Sequence, residues 1–210
     1  MSKVLYIQAS PRRGRSHSIA VADAFVDAYR NAHPDDEVDV WNVFDADLPP
    51  FDGLAVQAKY TILHGKDHTP EEQAAWKAVE DVVARFTAAD KLVLAVPMWN
   101  FGIPYRLKQL IDLVVQPGYT FSFSPEKGYE GLLTGKRAFV VYARGGDYPE
   151  GTEAEAMDFQ RRYLETLLGF IGITDVRSIT LQPMLMAGPD IAAHERADGI
   201  AKAREMAAAF

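Results

Sequence analysis

The sequence contains no cysteine among its 210 residues. This absence excludes disulfide bonds, thiol nucleophiles, thiolate-bound metals and iron–sulfur clusters. Any redox chemistry of the chain therefore requires a bound organic cofactor. His64 and His68 stand four residues apart, but no carboxylate completes a known metal-binding motif around them, and we predict no metal site.

Long apolar runs and excess positive charge are absent too. No run approaches the length needed to cross a bilayer, and the N-terminus lacks a basic segment followed by an apolar one, so we expect a cytoplasmic protein. The 22 Lys and Arg stand against 29 Asp and Glu, which gives a formal net charge of −7. This charge argues against nonspecific binding to nucleic acid or to an anionic membrane, and we predict neither as a partner.

The chain also lacks internal repeats, low-complexity tracts and any Pro/Gly/Ser-rich linker that would divide it. Its length is near the upper end for single domains. A hydrophobic content of 48% and a charged content of 24% are typical of globular proteins. We predict one domain over residues 1–210.

What is present is an alternation of strands and helices. Strands are predicted at 4–9, 38–43, 91–96, 137–142 and 174–181. Helices are predicted from near 19 to about 32, from 70 to about 88, at 105–115, from about 152 to 169 and from about 190 to the end. Residues 54–66 are either a short helix or a surface excursion, residues 119–124 either a short strand or an extended flap, and residues 126–134 a loop. This order predicts an α/β fold, a flavodoxin-like doubly wound five-stranded parallel sheet of order 2-1-3-4-5 with helices on both faces.

The loop after the first strand carries the hydroxyls of Ser10, Ser16 and Ser18 and leads directly into a helix. Free backbone N–H groups and the positive end of the helix dipole favour an anion there. The loop matches neither G-x-G-x-x-G nor G-x-x-x-x-G-K-[ST], so a terminal phosphate monoester fits better than a pyrophosphate or a nucleoside triphosphate. An ordinary turn with a helix cap is the alternative. Three basic residues of this loop are either solvated charges or phosphate-steering groups: Arg12, Arg13 and Arg15.

Two further loops are expected at the same edge of the sheet, because ligands of open parallel sheets bind beyond the carboxyl ends of the strands. The first offers Met98, Trp99, Asn100 and Phe101, and the second offers Arg144, Gly145 and Gly146. Apolar side chains suit the face of a flat ring, and the paired glycines let backbone amides approach its polar rim. This arrangement suits the isoalloxazine of FMN. The plainer alternatives are core hydrophobes and a strand end.

Several motifs in register resemble the family of FMN-dependent NADH azoreductases, within the flavodoxin-like quinone reductases. They are Ser10…Ser16-His17-Ser18, Pro97-Met98-Trp99-Asn100-Phe101, Thr120-Phe121, Glu130-Gly131-Leu132, Gly135-Lys136, Arg144-Gly145-Gly146 and the segment 168–175. The resemblance covers nearly the whole chain. It implies an enzyme that uses FMN to take a hydride from NADH and to pass two electrons to quinones or azo dyes. It also implies a homodimer with its active sites at the subunit interface.

The resemblance also implies roles for individual residues. The phosphate and ribityl groups would contact Ser10, Ser16, His17 and Ser18; the flavin ring would contact Met98, Trp99, Asn100 and Phe101; and its pyrimidine edge would meet Ala143, Arg144, Gly145 and Gly146. Phe170 matches an aromatic residue that reaches the pocket of the neighbouring subunit, and Phe123 and Tyr129 are further candidates for the substrate pocket. No side chain is expected to be catalytic, since the flavin carries the electron chemistry and Asn100 orients at most.

The phosphate loop is more basic than is common in that family, and this departure leaves the substrate open. Three alternatives stay beside the main hypothesis. One is an NADPH-preferring quinone or nitroaromatic reductase of the same fold. The second is a flavodoxin-type electron carrier; the long segments 48–66 and 120–134 argue against it, since they look suited to enclosing a substrate. The third is a redox-sensing binding protein that has kept the site but lost the activity.

Overall fold

The computed structural model describes residues 1–210. Its strands are β1 (Lys3–Gln8), β2 (Glu37–Asn42), β3 (Lys91–Pro97), β4 (Phe121–Ser124), β5 (Gly128–Gly131), β6 (Arg137–Ala143) and β7 (Asp175–Leu181). Its α-helices are α1 (His17–Ala32), α2 (Gly53–Leu63), α3 (Pro70–Thr87), α4 (Tyr105–Val114), α5 (Phe159–Phe170) and α6 (Pro189–Ala207). Short 3₁₀ turns stand before α1 at Arg13–Arg15 and before α5 at Glu153–Met157.

Five strands form one parallel sheet in the order β2-β1-β3-β6-β7. Counted among these five strands alone, the order is 2-1-3-4-5, so the predicted flavodoxin-like α/β fold with a five-stranded parallel sheet is confirmed. The interior strands β3 and β6 are almost wholly buried, which explains their nearly unbroken apolar sequences. Because the strands run in the same direction, the loops after β1, β3, β6 and β7 all open at one edge.

Each face of the sheet has its own apolar core, because alternate residues of a strand point to opposite faces. Leu5 and Ile7 of β1 pack in one core with residues of α2, α3, α4 and α5. Val4 and Tyr6 pack in the other core with residues of α1 and α6. None of the helices combines the length and the apolar character needed to span a membrane.

Side-chain caps mark the starts of α1, α2 and α3. Ser16 caps α1, since its Oγ accepts from the backbone N–H of Ile19. Thr69 and Glu72 form a reciprocal capping box at the predicted start of α3. Most of the ambiguous segment 54–66 belongs to α2, which ends at Leu63 and whose cap is the carboxylate of Asp52.

The prediction of a loop over 126–134 is wrong, because β4 and β5 form an antiparallel hairpin. Phe121 pairs with Gly131 and Ser124 pairs with Gly128. The sequence of β5, Gly-Tyr-Glu-Gly, has no apolar alternation, since this strand lies outside the main sheet and buries little. Its strand conformation comes from pairing with β4 rather than from local propensity.

The prediction of one helix over 152–169 is wrong in its first turns. Residues Glu153–Met157 form a 3₁₀ turn, and the backbone of Asp158, with φ −79° and ψ 81°, leaves the helical conformation. The carboxylate of Asp158 then caps α5 by accepting from the backbone N–H groups of Gln160 and Arg161. Helix α5 therefore begins at Phe159.

Candidate functional site

A cleft of about 810 Å³ lies at the carboxyl edge of the main sheet. Its wall consists of the loops after β1, β3, β6 and β7 and one side of α6. A volume of this size is in the range of small-molecule and cofactor sites. Eight of the residues predicted to bind a cofactor line it: Ser10, Ser16, His17, Met98, Trp99, Ala143, Arg144 and Gly145. The three loops singled out in the sequence thus meet in one cleft.

The other four predicted residues adjoin the wall without lining it: Ser18, Asn100, Phe101 and Gly146. Ser18 is fully buried, and its Oγ lies 3.1 Å from the Oγ of Ser16. The hydroxyl of Ser18 therefore contacts Ser16 rather than the cleft.

The N-terminus of α1 lies at the end of the cleft formed by Ser10 and Ser16. The backbone N–H groups of His17 and Ser18 donate to no acceptor within the chain, as expected in the first turn of a helix. The Nδ1 atom of His17 is also buried without a hydrogen-bond partner. Burial, followed by the charges of Arg12 and Arg196, lowers the pKa of the His17 imidazole. The two unpaired backbone N–H groups and the nearby cations fit an anionic group.

The loop after β3 is a tight turn with a strained backbone. Trp99 and Gly102 exchange two backbone hydrogen bonds of 2.9 and 3.0 Å. Between them, Asn100 and Phe101 have φ angles of 48° and 68°. Left-handed backbone at both central positions is typical of a type I′ turn, which favours Asn at the first position but not Phe at the second. Strain of this kind concentrates at functional sites, and here it fixes where Trp99 stands in the wall.

Aromatic rings on both sides of this turn were not identified from the sequence. The rings of Phe44 and Tyr105 lie 5.7 and 6.3 Å from the ring of Trp99. On the other side, the ring of Phe101 stands nearly perpendicular to that of Tyr148 at 6.5 Å. Such contacts orient the flat apolar surfaces of the turn.

Arg144 lines the cleft, but its guanidinium is held inside the protein. Its Nη2 lies 2.5 Å from Oδ2 of Asp158, and the side chain is only 3% exposed. It also donates to the Oε1 atoms of Gln160 and Gln182, at 3.1 and 3.0 Å. Its backbone is engaged as well, since its N–H donates to the carbonyl of Leu181 at 3.0 Å and its carbonyl accepts from the N–H of Met184 at 2.8 Å. Arg144 therefore shapes the wall rather than offering its charge to a ligand. The sequence near position 144 did not indicate that the guanidinium is buried, because the partners of Arg144 lie at the start of α5 and just after β7.

The backbone N–H groups of Gly145 and Gly146 have no acceptor within the chain. Their loop packs tightly on the next one, since the carbonyl of Gly145 accepts from the backbone N–H groups of Leu185 and Met186 at 3.1 and 3.0 Å. A Cβ on Gly146 would lie 3.3 Å from the sulfur of Met186. The glycines thus permit this contact and leave two donors free, that of Gly145 in the cleft wall and that of Gly146 next to it in the chain.

The loop after β7 and the first turns of α6 contribute residues to the cleft wall that the sequence motifs did not indicate. They are Met184, Leu185, Gly188, Pro189, Ala192, Ala193, Arg196, Ala197 and Ile200. A signal for them was available, because the apolar segment 183–189 follows a predicted parallel strand and must open at the same edge as the other loops.

Phe123, Tyr129 and Phe170 do not line the cleft of their own chain. With Phe121 they form an aromatic patch on the β4–β5 hairpin and the end of α5. The ring of Tyr129 lies 4.9 Å from that of Phe123 and 5.6 Å from that of Phe170. Phe123 and Tyr129 are 61% and 65% exposed. The patch is therefore separate from the cleft within one chain.

Comparison with known proteins agrees with this architecture. A family model described as a flavodoxin-like fold matches residues 2–207. An FMN-dependent NADH:quinone oxidoreductase of Nitratidesulfovibrio vulgaris (strain DP4) is 55% identical over 210 residues, which cover 100% of both chains. The chain belongs to this flavodoxin-like family.

Two solved structures are similar to this flavodoxin-like protein over its whole length. An azoreductase from Bacillus anthracis (strain Sterne) is 31% identical with a TM-score of 0.91, and 100% of each chain is covered. An FMN-dependent NADH-azoreductase from Bacillus anthracis (strain Ames Ancestor), in complex with FMN, is 26% identical with a TM-score of 0.87, and 99% of this chain and 100% of that chain are covered. The resemblance to azoreductases and quinone reductases that the motifs indicated is confirmed.

Proposed function

We propose that this flavodoxin-like protein is an FMN-dependent NADH:quinone oxidoreductase that also reduces aromatic azo compounds by two-electron hydride transfer. The observation that carries the proposal is the meeting of three loops in one cleft with unpaired backbone donors at two places along it. One relative is named as an FMN-dependent NADH:quinone oxidoreductase, the two similar structures are named as azoreductases, and one of these holds FMN. Bound FMN supplies the two-electron chemistry, for which a chain without cysteine has no side chain of its own.

The serine-rich end of the cleft would hold the phosphate and ribityl groups of FMN. The hydroxyls of Ser10 and Ser16 and the backbone N–H groups of His17 and Ser18 are the available donors. The positive end of α1 favours a negative charge at this place. The Nδ1 atom of His17, which has no partner in the chain, would gain one.

The other end would hold the flavin ring. Met98 and Trp99 supply apolar surfaces for its face, and the backbone N–H groups of Gly145 and Gly146 supply donors for its polar edge. Ala143 and Arg144 form part of the wall there. The Asn100 side chain makes no hydrogen bond within the chain and is the remaining polar group of the turn. These residues bind and orient the cofactor, and none acts as a covalent nucleophile.

We propose that NADH and the electron acceptor use the same open side of the cleft in turn, in a ping-pong order. Trp99 and Phe101, 37% and 45% exposed, present rings beside this opening that can stack on flat substrates. The protons that the reduced acceptor needs come from water in this scheme, because the cleft wall contains no Asp, Glu, Lys, Cys or Tyr and its one histidine, His17, lies at the phosphate end.

The purified protein is expected to carry FMN and to oxidise NADH with a benzoquinone as acceptor at about 10 s⁻¹ or faster, an ordinary enzymatic turnover. Chromatography of the released chromophore and steady-state loss of NADH absorbance measure these two properties. A parallel assay with NADPH separates the NADPH-preferring alternative. Bound FMN with turnover a hundredfold slower would favour the electron carrier, and protein that loses FMN on dialysis would contradict the proposal.

We also propose a homodimer in which the aromatic patch of one chain completes the substrate pocket of the other. The patch exposes large aromatic surface on a hairpin outside the main sheet, and exposed aromatic surface of this kind marks interaction sites. Phe123, Tyr129 and Phe170 then reach a cleft that they do not reach within their own chain. We also propose a doubly wound arrangement with helices on both faces of the main sheet, which the two separate apolar cores support. We propose a cytoplasmic location for the protein.

Tyr129→Glu is expected to convert the dimer into monomers at micromolar concentration, because a carboxylate would be buried in the interface without a partner. Sedimentation velocity measures the change. The control is Val40→Glu, since Val40 is 45% exposed on the edge strand β2 and lies outside the patch. A protein that stays dimeric with both Tyr129→Glu and Phe123→Glu would place the interface elsewhere.

A further inference from the structure

Two arginines of the cleft wall have no partner within the protein. Arg12 lies in the loop after β1 and Arg196 lies on α6, and both line the cleft. Neither forms an ion pair or a side-chain hydrogen bond, whereas the neighbouring Arg13 is paired with Asp45, with its Nη2 2.7 Å from Oδ1. A guanidinium stays charged at any physiological pH. Two uncompensated positive charges therefore stand at the cleft.

The wall of the cleft contains no Asp or Glu, although the protein as a whole carries a formal net charge of −7. The charges of Arg12 and Arg196 both act on His17, whose Nδ1 lacks a partner. The two guanidiniums and the imidazole thus line the same cleft, close enough for both charges to lower the pKa of His17. Groups from two distant parts of the chain converge there on space suited to an anion.

The place of Arg196 is fixed by close packing of α6. Gly199 lies one turn further along the helix, and a Cβ on it would lie 2.5 Å from Cδ2 of Leu181 and 3.2 Å from Cγ2 of Val21. The missing side chain lets α6 approach β7 and α1 closely. This close packing at Gly199 positions Arg196 in the cleft wall.

We propose that Arg12 and Arg196 bind the phosphate of FMN together with the serine loop, so that the C-terminal helix completes the phosphate site. This inference rests on the proposed function, because it concerns the cofactor of that site. The serine hydroxyls and backbone N–H groups are neutral, and a phosphate monoester carries a charge of about −1.5 to −2. Guanidiniums match phosphate oxygens in geometry and charge. The two arginines therefore set the preference for FMN over riboflavin, which lacks the phosphate.

The test compares dissociation constants of the full-length protein for FMN and riboflavin, from the flavin fluorescence released when loaded protein is diluted. Arg12→Ala and Arg196→Ala are each expected to weaken FMN binding roughly tenfold, as expected for loss of one charge-assisted hydrogen bond, and to change riboflavin binding less than about twofold. Each variant has a matched control. The control for Arg12→Ala is Arg15→Ala, which changes an exposed, unpaired arginine of the same loop. The control for Arg196→Ala is Arg204→Ala, which changes an exposed, unpaired arginine of α6. Neither control residue lines the cleft. Both controls should bind FMN like the unchanged protein.

Three outcomes would overturn the inference. FMN affinity within about twofold of the unchanged protein in both variants would remove the arginines from the phosphate site. Equal losses for FMN and riboflavin would assign them a structural role. Unchanged FMN affinity together with a raised KM for NADH would show that the two arginines bind the dinucleotide rather than the phosphate of FMN. Failure of the unchanged protein itself to bind FMN would contradict the proposed function as well, so the two failures are distinguishable.

Discussion

Arg144→Met is expected to lower the free energy of unfolding by about 3–5 kcal/mol, the usual cost of removing one partner of a buried ion pair. Arg144 is 3% exposed and Asp158 is 12% exposed, and the guanidinium also donates to Gln160 and Gln182. Without Arg144, the carboxylate of Asp158 stays buried without a compensating charge. Urea denaturation of the unchanged protein and the variant measures the difference.

The same substitution should weaken FMN binding, because the network joins three loops around the cleft. Gln160, which accepts from Arg144, donates through Nε2 to the carbonyl of Val96 at 2.9 Å, just before the loop that carries Met98. Arg144 thus holds the loops after β3 and β6 in register through contacts behind the site. Retention of FMN during dialysis reports this effect separately from stability.

Two variants sharpen the Arg144 prediction. Adding Asp158→Asn to Arg144→Met should recover most of the lost stability, since Asn keeps the cap of α5 and removes the unpaired charge. Arg161→Met is the surface control, because Arg161 pairs with Glu150 and Glu165 at 40% exposure and should cost less than about 1 kcal/mol. Equal effects of Arg144→Met and Arg161→Met would contradict the importance of the buried network.

Gly131→Ala is expected to destabilise the protein by about 3 kcal/mol, at the upper end of the usual cost of overpacking. A Cβ on Gly131 would lie 2.2 Å from the backbone nitrogen of Gly172 and 2.4 Å from the backbone carbon of Ile171. Backbone atoms cannot move aside as a side chain can, so the β4–β5 hairpin must shift away from the end of α5. The hairpin carries Phe123 and Tyr129, and we therefore expect dimer formation to weaken as well.

Gly169→Ala is the matched control for Gly131→Ala. Gly169 lies in α5 near the same junction, and a Cβ on it would meet no atom within 4 Å. Alanine in a helix is favoured over glycine by about 1 kcal/mol, so this variant should be slightly more stable than the unchanged protein. Thermal unfolding of the two variants measures the effect on stability, and sedimentation velocity measures the effect on dimer formation. A Gly131→Ala protein as stable as the Gly169→Ala protein would show that the hairpin relaxes without cost.

Much of the candidate site could be predicted because it depends on chain order. Ser10, Met98 and Gly145 each follow a recognisable apolar strand, and parallel strands bring such loops to one edge of the sheet. The structure brings all three residues into one cleft. The internal use of Arg144 could not be predicted, since its partners Asp158 and Gln182 are distant in sequence and a charged residue is exposed far more often than buried.

The sequence by itself determined the parallel sheet, its strand order, the start of α3 and the three loops of the cleft, because apolar periodicity and helix-start signals are local properties. Only the tertiary structure decided the β4–β5 hairpin, the break at Asp158, the contribution of α6 to the cleft, and the separation of Phe123 and Tyr129 from it. Each of these depends on pairing, burial or charge compensation between residues far apart in the chain. Such interactions leave no periodic pattern at either position, and they form only when the packed elements bring the partners together.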